Sequence, residues 1–314
     1  MTFDDLSRMA AERTPFLFYT DFKGERLHIY PLEDLPEYGI RYTFDSAEPH
    51  KTSLSITMEK IPVPFDTYRK KFDAVIEKIK AGETYLLNLT QPTQIRCDVS
   101  LREIFDAADA PFKLCIDDQF VCFSPERFVR IKHDRISTYP MKGTIDASLP
   151  DAEARILADA KEMAEHVMVV DLLRNDLGIV ATDIKVDRFR YVERIKAGEK
   201  ELLQVSSMIS GNVGNAWRTR LGSILSQLLP AGSISGTPKK STVEIIDAVE
   251  GYERGFFTGV FGVFDGEVFD SAVMIRYIEK DVNGGYRYKS GGGITIDSDV
   301  RSEYQEMIDK VYIG

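Results

Sequence analysis

Apolar residues along this chain change their spacing repeatedly, and each change marks an element. Between residues 65 and 81, Tyr68, Phe72, Val75, Ile76 and Ile79 recur at the intervals of one helix face, and Gly82 supplies a C-terminal cap. The next stretch, 84–93, alternates, with Tyr85, Leu87 and Leu89 on one side of a predicted strand. Short strands are predicted at 15–19, 26–30 and 52–59, and strand-rich sequence fills 112–139. Helical spacing returns over 151–174, 216–228, 239–250 and 300–312, with strands at 201–210, 256–264, 267–278 and 286–289. Helices interrupt runs of strands without a regular strand–helix alternation, which predicts α+β layers. No repeat or linker divides the chain, so one compact domain over 1–314 is expected.

Composition narrows the partners. The 314 residues are 43% apolar with a mean hydropathy of −0.20, ample for a large core. A net charge of −10 and a pI near 5.1 argue against nucleic acid and anionic membranes as partners. An anionic substrate must therefore meet local cations or a metal ion. The N-terminus has neither the basic nor the apolar region of a leader, and no run reaches membrane-spanning length. Cys97, Cys115 and Cys122 are odd in number and lack metal-ligand spacing. A reduced, cytoplasmic location is expected.

Candidate chemistry comes from three places. Lys142 stands in Pro140-Met141-Lys142-Gly143-Thr144, directly after strand-like sequence. Proline restricts the backbone and glycine allows close approach, so this lysine is either a surface turn or an aimed side chain able to become a nucleophile. Glu162 and Glu165, and again Glu303 and Glu306, stand three apart within predicted helices. That spacing puts each pair on one face, fit either for solvent or, if two helices meet, for an all-oxygen Mg²⁺ site. Residues 231–239 are glycine-rich but lack the Gly-Lys-Ser/Thr ending of a nucleotide loop. They run into a helix with Thr237 as candidate cap and Pro238 as first residue. The Gly232 amides there, and Gly291-Gly292-Gly293, are places where backbone can hold a carboxylate.

In order, these segments resemble the chorismate-utilising enzymes: anthranilate, aminodeoxychorismate, isochorismate and salicylate synthases. The matching blocks are 82–90, Ser124-Pro125-Glu126, 140–144, the run from Glu165 through Asp171-Leu172-Leu173-Arg174-Asn175-Asp176-Leu177-Gly178, 232–239, Ile275-Arg276 and 291–299. The resemblance covers roughly 65–314, with 1–64 a shortened N-terminal strand region. It implies an anthranilate synthase component I-like fold: two mixed or antiparallel sheets forming a sandwich flanked by helices.

Within that family a lysine at the position of Lys142 goes with the aminodeoxychorismate synthases, while the others carry alanine. The water-activating lysine of the isochorismate and salicylate enzymes falls at Leu86. The resemblance therefore implies amination of chorismate at C4, with anthranilate synthesis, a silent chorismate-binding subunit and, remotely, a Schiff-base enzyme as alternatives. By the same resemblance, Mg²⁺ is held by Glu162, Glu165, Glu303 and Glu306. Thr144, Gly143, Arg276, Gly292, Gly293, Lys310, Gly232 and Ser233 hold the substrate. Neutral Lys142 attacks the ring and Glu126, its pKa raised, protonates the departing hydroxyl. No glutaminase nucleophile is apparent, so ammonia is expected from a separate amidotransferase subunit. Asp171, Arg174, Asn175 and Asp176 are expected to form an internal network bracing the metal helix, with His166 in a structural bond and Trp217 packed at a helix face. His28, His50 and His133 show no functional context. Gln204 and Phe257 depart from the family's histidine and tyrosine. The short N-terminal region also removes part of the tryptophan pocket of larger relatives, so calorimetric titration is expected to find no tight tryptophan binding.

Overall fold

A computed structural model describes residues 1–44, 56–197, 200–281 and 284–313. His50 and most of the strand expected at 52–59 fall outside them; of that stretch a short strand, Glu59–Ile61, is described. Two sheets and the helices around them form the chain, and every strand pairing among the described residues is antiparallel. The first sheet has nine strands and runs from Met141–Asp146 at one end to Leu27–Pro31 at the other. Thr182–Ala197 pairs with Lys200–Asn212 as a long hairpin on that sheet. The second sheet has eight strands, with Leu86–Arg96 beside Tyr286–Ile294 near its centre.

Most helices lie close to their expected places, because their apolar faces have a sheet to cover. Phe65–Lys80 buries Tyr68, Phe72 and Val75. The helical stretch from 151 is two helices, Ala152–Ala158 and Ala160–Val180, broken at Asp159, whose side chain caps the second. Several elements were not legible: an N-terminal helix, Phe3–Ala11; a short one, Leu101–Ala107; and the strand Thr182–Ala197, whose charged residues mask its alternation. The cap of Lys239–Glu250 is Pro238 rather than Thr237, because Thr237 is taken by a short pairing with Leu86.

The expected single strand 267–278 is instead two strands in different sheets. Phe269–Val273 lies in the first and Tyr277–Lys280 in the second, with Arg276 at a φ of +51° between them. Phe120–Ser124 and Arg127–Lys132 make the same change of sheet in the opposite sense. The two links touch: Phe123 N–H donates to the Arg276 carbonyl at 3.2 Å and Val273 N–H to the Glu126 carbonyl at 3.1 Å.

Three apolar clusters fill the interior; the largest joins Trp217, Phe264 and Leu225 to Val170 and Leu173 of the Ala160–Val180 helix. Trp217 is fully buried, meeting Phe264 edge-on at 6.0 Å, and its indole N–H donates to the His133 carbonyl. His28 stacks on Tyr19 at 4.7 Å. Cys115 and Cys122 are buried free thiols. Among the described residues no helix is long and apolar enough to cross a membrane.

One polar feature lies within the core. Glu250 and Arg254 are 1% and 2% exposed and pair at 2.6 Å, with Thr90 N–H and its hydroxyl donating to Glu250 at 2.8 Å. Removing one member of such a pair strands the other charge away from water. Glu250→Ala is therefore expected to cost about 3–5 kcal/mol in denaturant unfolding; a loss under about 1 kcal/mol would show that Arg254 is not confined there.

Candidate active site

Lys142 lies in the edge strand Met141–Asp146, next to the helix that carries Glu162 and Glu165. Its Nζ is 2.7 Å from Glu165 Oε2. Burial draws this amine's pKa down, yet the Glu165 hydrogen bond and the charges of Glu165, Glu162 and Glu306 outweigh it, leaving the pKa above the ordinary lysine value. With the carboxylates bare, Lys142 is their counterion, and the neutral amine that the resemblance implies would require Glu165 to be drawn away from it. Gly143 has a φ of +96°, and a Cβ there would stand 3.0 Å from Glu162 Oε2. Its lack of a side chain makes room for that carboxylate beside the strand.

Glu303 and Glu306 project from Val300–Asp309, which packs against the glycine strand Tyr286–Ile294. A Cβ on Gly292 would lie 3.2 Å from Glu303 Oε2 and 3.4 Å from Glu306 Oε1. The triple glycine is part of that strand, which runs past the expected end at residue 289. Glu306 pairs with Lys310 at 2.7 Å, and Lys310 also donates to the Gly291 carbonyl at 2.8 Å. Burial raises the Glu306 pKa, but Lys310 more than reverses it, and the net shift is downward. Glu162 and Glu303 shift upward, first through burial and then through their neighbouring carboxylates.

These four glutamates offer the hard oxygen donors Mg²⁺ prefers, and Glu162 Oε2 is buried without a hydrogen-bond partner. No three described His, Cys, Asp or Glu side chains converge on one point, however. Lys142 and Lys310 draw Glu165 and Glu306 to themselves. The donor set fits the ion; gathering it requires these lysines to yield.

Beside the Ala160–Val180 helix, which lends it Glu165, opens a cavity whose wall includes Lys142, Glu126, Ser233, Arg276, Gly292 and Lys310; Glu162 and Glu306 line the adjoining groove. Glu126 sits on one inter-sheet link and Arg276 on the other. Ser233 donates its hydroxyl to Glu126 Oε1. Burial pushes the Glu126 carboxyl above its ordinary range, against that hydrogen bond and the charge of Lys310. Arg276 donates to the Lys310 carbonyl at 3.1 Å and lies over the Tyr312 ring at 4.6 Å. Gly293 lines the same cavity.

Other expectations need correction. Gly232 does not face the cavity: a Cβ there would come 2.5 Å from Asp176 Oδ2, so this turn backs onto the helix, not the ligand space. Thr144 opens into a neighbouring groove with Gln204, its partner across the strand pairing. Asp176 is buried and paired with Lys239 at 3.1 Å. Asp171, Arg174 and Asn175 instead face solvent, where Asp171 and Arg174 form only a surface pair at 3.3 Å. The helix turns them outward while its other face packs, so they do not form the expected internal network. Phe257 and Leu86 line the cavity. Lys289 is a wall residue that sequence reasoning missed. It is 3% exposed and bonded to Glu279 at 2.9 Å and to the Arg254 carbonyl at 2.8 Å. A lysine among the apolar residues of a strand was its only signal.

Comparison with known proteins follows the geometry. Residues 26–313 match the family model described as chorismate binding enzyme. An "Uncharacterized PabA-like protein" of Haemophilus influenzae is 48% identical over 307 residues, covering 96% of this chain and 93% of its own. Aminodeoxychorismate synthase component 1 of Escherichia coli is 32% identical over 78% of this chain and 56% of its own. An anthranilate synthase component 1 of Haloarcula marismortui is 34% identical over 78% of this chain and 52% of its own. The chain thus spans about half the length of these longer relatives. In fold it is similar to the isochorismate synthase DhbC of Bacillus anthracis, with a TM-score of 0.70 at 20% identity over 98% of this chain and 85% of that one.

A carboxyl whose folded pKa is raised favours its protonated form, so it weakens the fold as pH climbs from the ordinary carboxylate range toward that raised value. Glu126→Gln should therefore raise the melting temperature at pH 7–8, with the gain shrinking below about pH 4.5. Equal melting temperatures across that range would mean that Glu126 is not held against ionisation.

Proposed function

The chain belongs to the chorismate-binding enzyme family and is a chorismate-utilising enzyme of the anthranilate synthase component I and aminodeoxychorismate synthase type; on that footing we propose that it aminates chorismate at C4, giving 4-amino-4-deoxychorismate. The observation that carries this reading is Lys142 Nζ at the cavity wall, 2.7 Å from Glu165, with Glu126, whose pKa burial raises, on the wall of the same cavity. A nucleophile and a proton donor on one cavity are what a displacement of a ring hydroxyl needs.

In this reading chorismate lies in the cavity walled by Lys142, Glu126 and Glu165, beside the groove lined by Glu162 and Glu306. Glu162, Glu165, Glu303 and Glu306 would hold Mg²⁺, whose charge offsets that of a substrate carboxylate against the chain's net negative field. Arg276 and Lys310, with the amides of Gly292 and Gly293, take the remaining carboxylate and ether oxygens. Lys142 first gives up its proton to water. Its Nζ then bonds to C2, the ring double bond shifts, and the C4 oxygen leaves as water with the proton from Glu126. Ammonia next bonds to C4 and passes a proton to the Glu126 carboxylate, the double bond returns, and the C2–N bond to Lys142 breaks. Two additions replace one direct displacement. Leu86 leaves its part of the wall without a base for water, which supports ammonia as the nucleophile.

The names of relatives as component 1 support a partner subunit, and we assign that partner the supply of ammonia by glutamine hydrolysis in the cytoplasm. The product serves p-aminobenzoate and folate synthesis.

The deciding assay incubates the protein with chorismate, Mg²⁺ and ammonium salt at mildly alkaline pH and resolves products by mass. 4-Amino-4-deoxychorismate is expected, falling at least about 100-fold with Glu126→Gln, in line with loss of general acid catalysis, and further with Lys142→Ala. Anthranilate as product would move the chain to the other branch. Inertness with an amidotransferase present would leave a binding subunit.

A further inference from the structure

Behind the strand that carries Lys142 lies a residue with no place in the chemistry above. Arg190 sits in the long hairpin strand Thr182–Ala197, at a register shift between Arg188 and Tyr191 and with a φ of +48°. An arginine held in left-handed backbone is strained, and strain is retained where something over-determines it. The residue is 8% exposed. Among the described residues no carboxylate pairs with it; its guanidinium donates to the Ile156 and Leu157 carbonyls at 3.0 and 2.9 Å and approaches Met163 Sδ at 3.3 Å.

Those contacts lie at the joint between two helices. Ile156 and Leu157 are in the last turn of Ala152–Ala158, and Met163 is in the first turn of Ala160–Val180, between Glu162 and Glu165. A cation is well suited to the free carbonyls of a helix C-terminus. Arg190 therefore fixes where the carboxylate helix begins.

Its backbone fixes the other side. Arg190 N–H donates to Ser207 Oγ at 2.9 Å, and Ser207 Oγ bonds His166 Nε2 at 2.7 Å, on the turn following Glu162 and Glu165. Ser207 N–H donates to the Pro140 carbonyl at 2.9 Å, two residues before Lys142. His166 is fully buried, with Ser207 on its Nε2 and the Lys142 backbone as its other hydrogen-bonding neighbour. One bulged residue thus ties the Lys142 strand and the Glu162–Glu165 helix to the same point.

We propose that Arg190, acting through Ser207 and His166, is a positioning residue that sets the spacing between Lys142 and the Glu162–Glu165 pair. It touches no substrate. The proposal deepens the amination reading, yet the spacing itself can be read without any substrate.

The test is competitive acylation of the full chain with limiting acetic anhydride, with Lys142 modification measured by peptide mass spectrometry against exposed Lys70. Arg190→Met keeps the side-chain length and loses the carbonyl contacts; Ser207→Ala cuts the link and is the second variant if the first does not fold. Either change should loosen the Lys142–Glu165 contact and speed Lys142 labelling at least threefold. Arg190→Lys, able to reach one of the two carbonyls, should fall between Arg190→Met and wild type. In amination assays, kcat should drop about tenfold or more with the KM for chorismate within threefold. Wild-type labelling in a folded variant overturns the proposal whatever the activity. If wild type makes no aminated product, the amination reading fails while the labelling arm still decides this one.

Discussion

The site depends on two adjacent places where the chain leaves one sheet for the other. At 124–127 it passes from the eight-stranded to the nine-stranded sheet, and at 273–277 it returns. Backbone hydrogen bonds of 3.1 and 3.2 Å join the two links. Neither link can shift without breaking pairings in both sheets, so Glu126 and Arg276 are held more rigidly than ordinary loop residues. The left-handed backbone of Arg276 is the local cost of that turn. The candidate site stands on the seam between the two sheets.

Around this seam the charges fall into two groups with different tasks. Glu250–Arg254 and Lys289–Glu279 are buried, mutually compensated pairs that brace the cavity floor. The outer group is unbalanced: four glutamates face Lys142, Lys310 and the more exposed Lys161, and Glu162 keeps an unpartnered buried oxygen. Like charges brought together at partial burial oppose folding, and well-packed cores elsewhere in the chain carry that burden. Such an excess is readily relieved by a cation, which would also release Lys142 from the carboxylate that keeps it protonated. The same carboxylates that make the site acidic thus keep the amine as their counterion.

Single residues also show how the frame serves the site. Gly143 and Gly292 lack side chains where Glu162 and Glu303 need the space. Glycine in these segments serves the carboxylates at least as much as any ligand. The Gly232 turn, which looks like a ligand loop in sequence, is used to pack against Asp176. Its neighbour Ser233 is the one that reaches the cavity, through Glu126.

Much of this protein was determined by local sequence. Helices such as Phe65–Lys80 and Val300–Asp309 follow from apolar spacing, because one face must be buried wherever the helix docks. The pairing of Glu162 with Glu165 and of Glu303 with Glu306 follows from helical periodicity, and the ordered blocks identify the family. Tertiary structure alone decided that the run 267–278 breaks between two sheets, since each half is equally apolar and only long-range pairing distinguishes them. It alone decided that Asp171, Arg174 and Asn175 face water while Asp176 is buried, a matter of a fraction of a helical turn against a neighbour distant in sequence. It also decided that the pKa of Lys142 shifts upward, because a pKa is fixed by charges brought near in space, and Glu162, Glu165 and Glu306 reach that amine only through the packing of two helices around one edge strand.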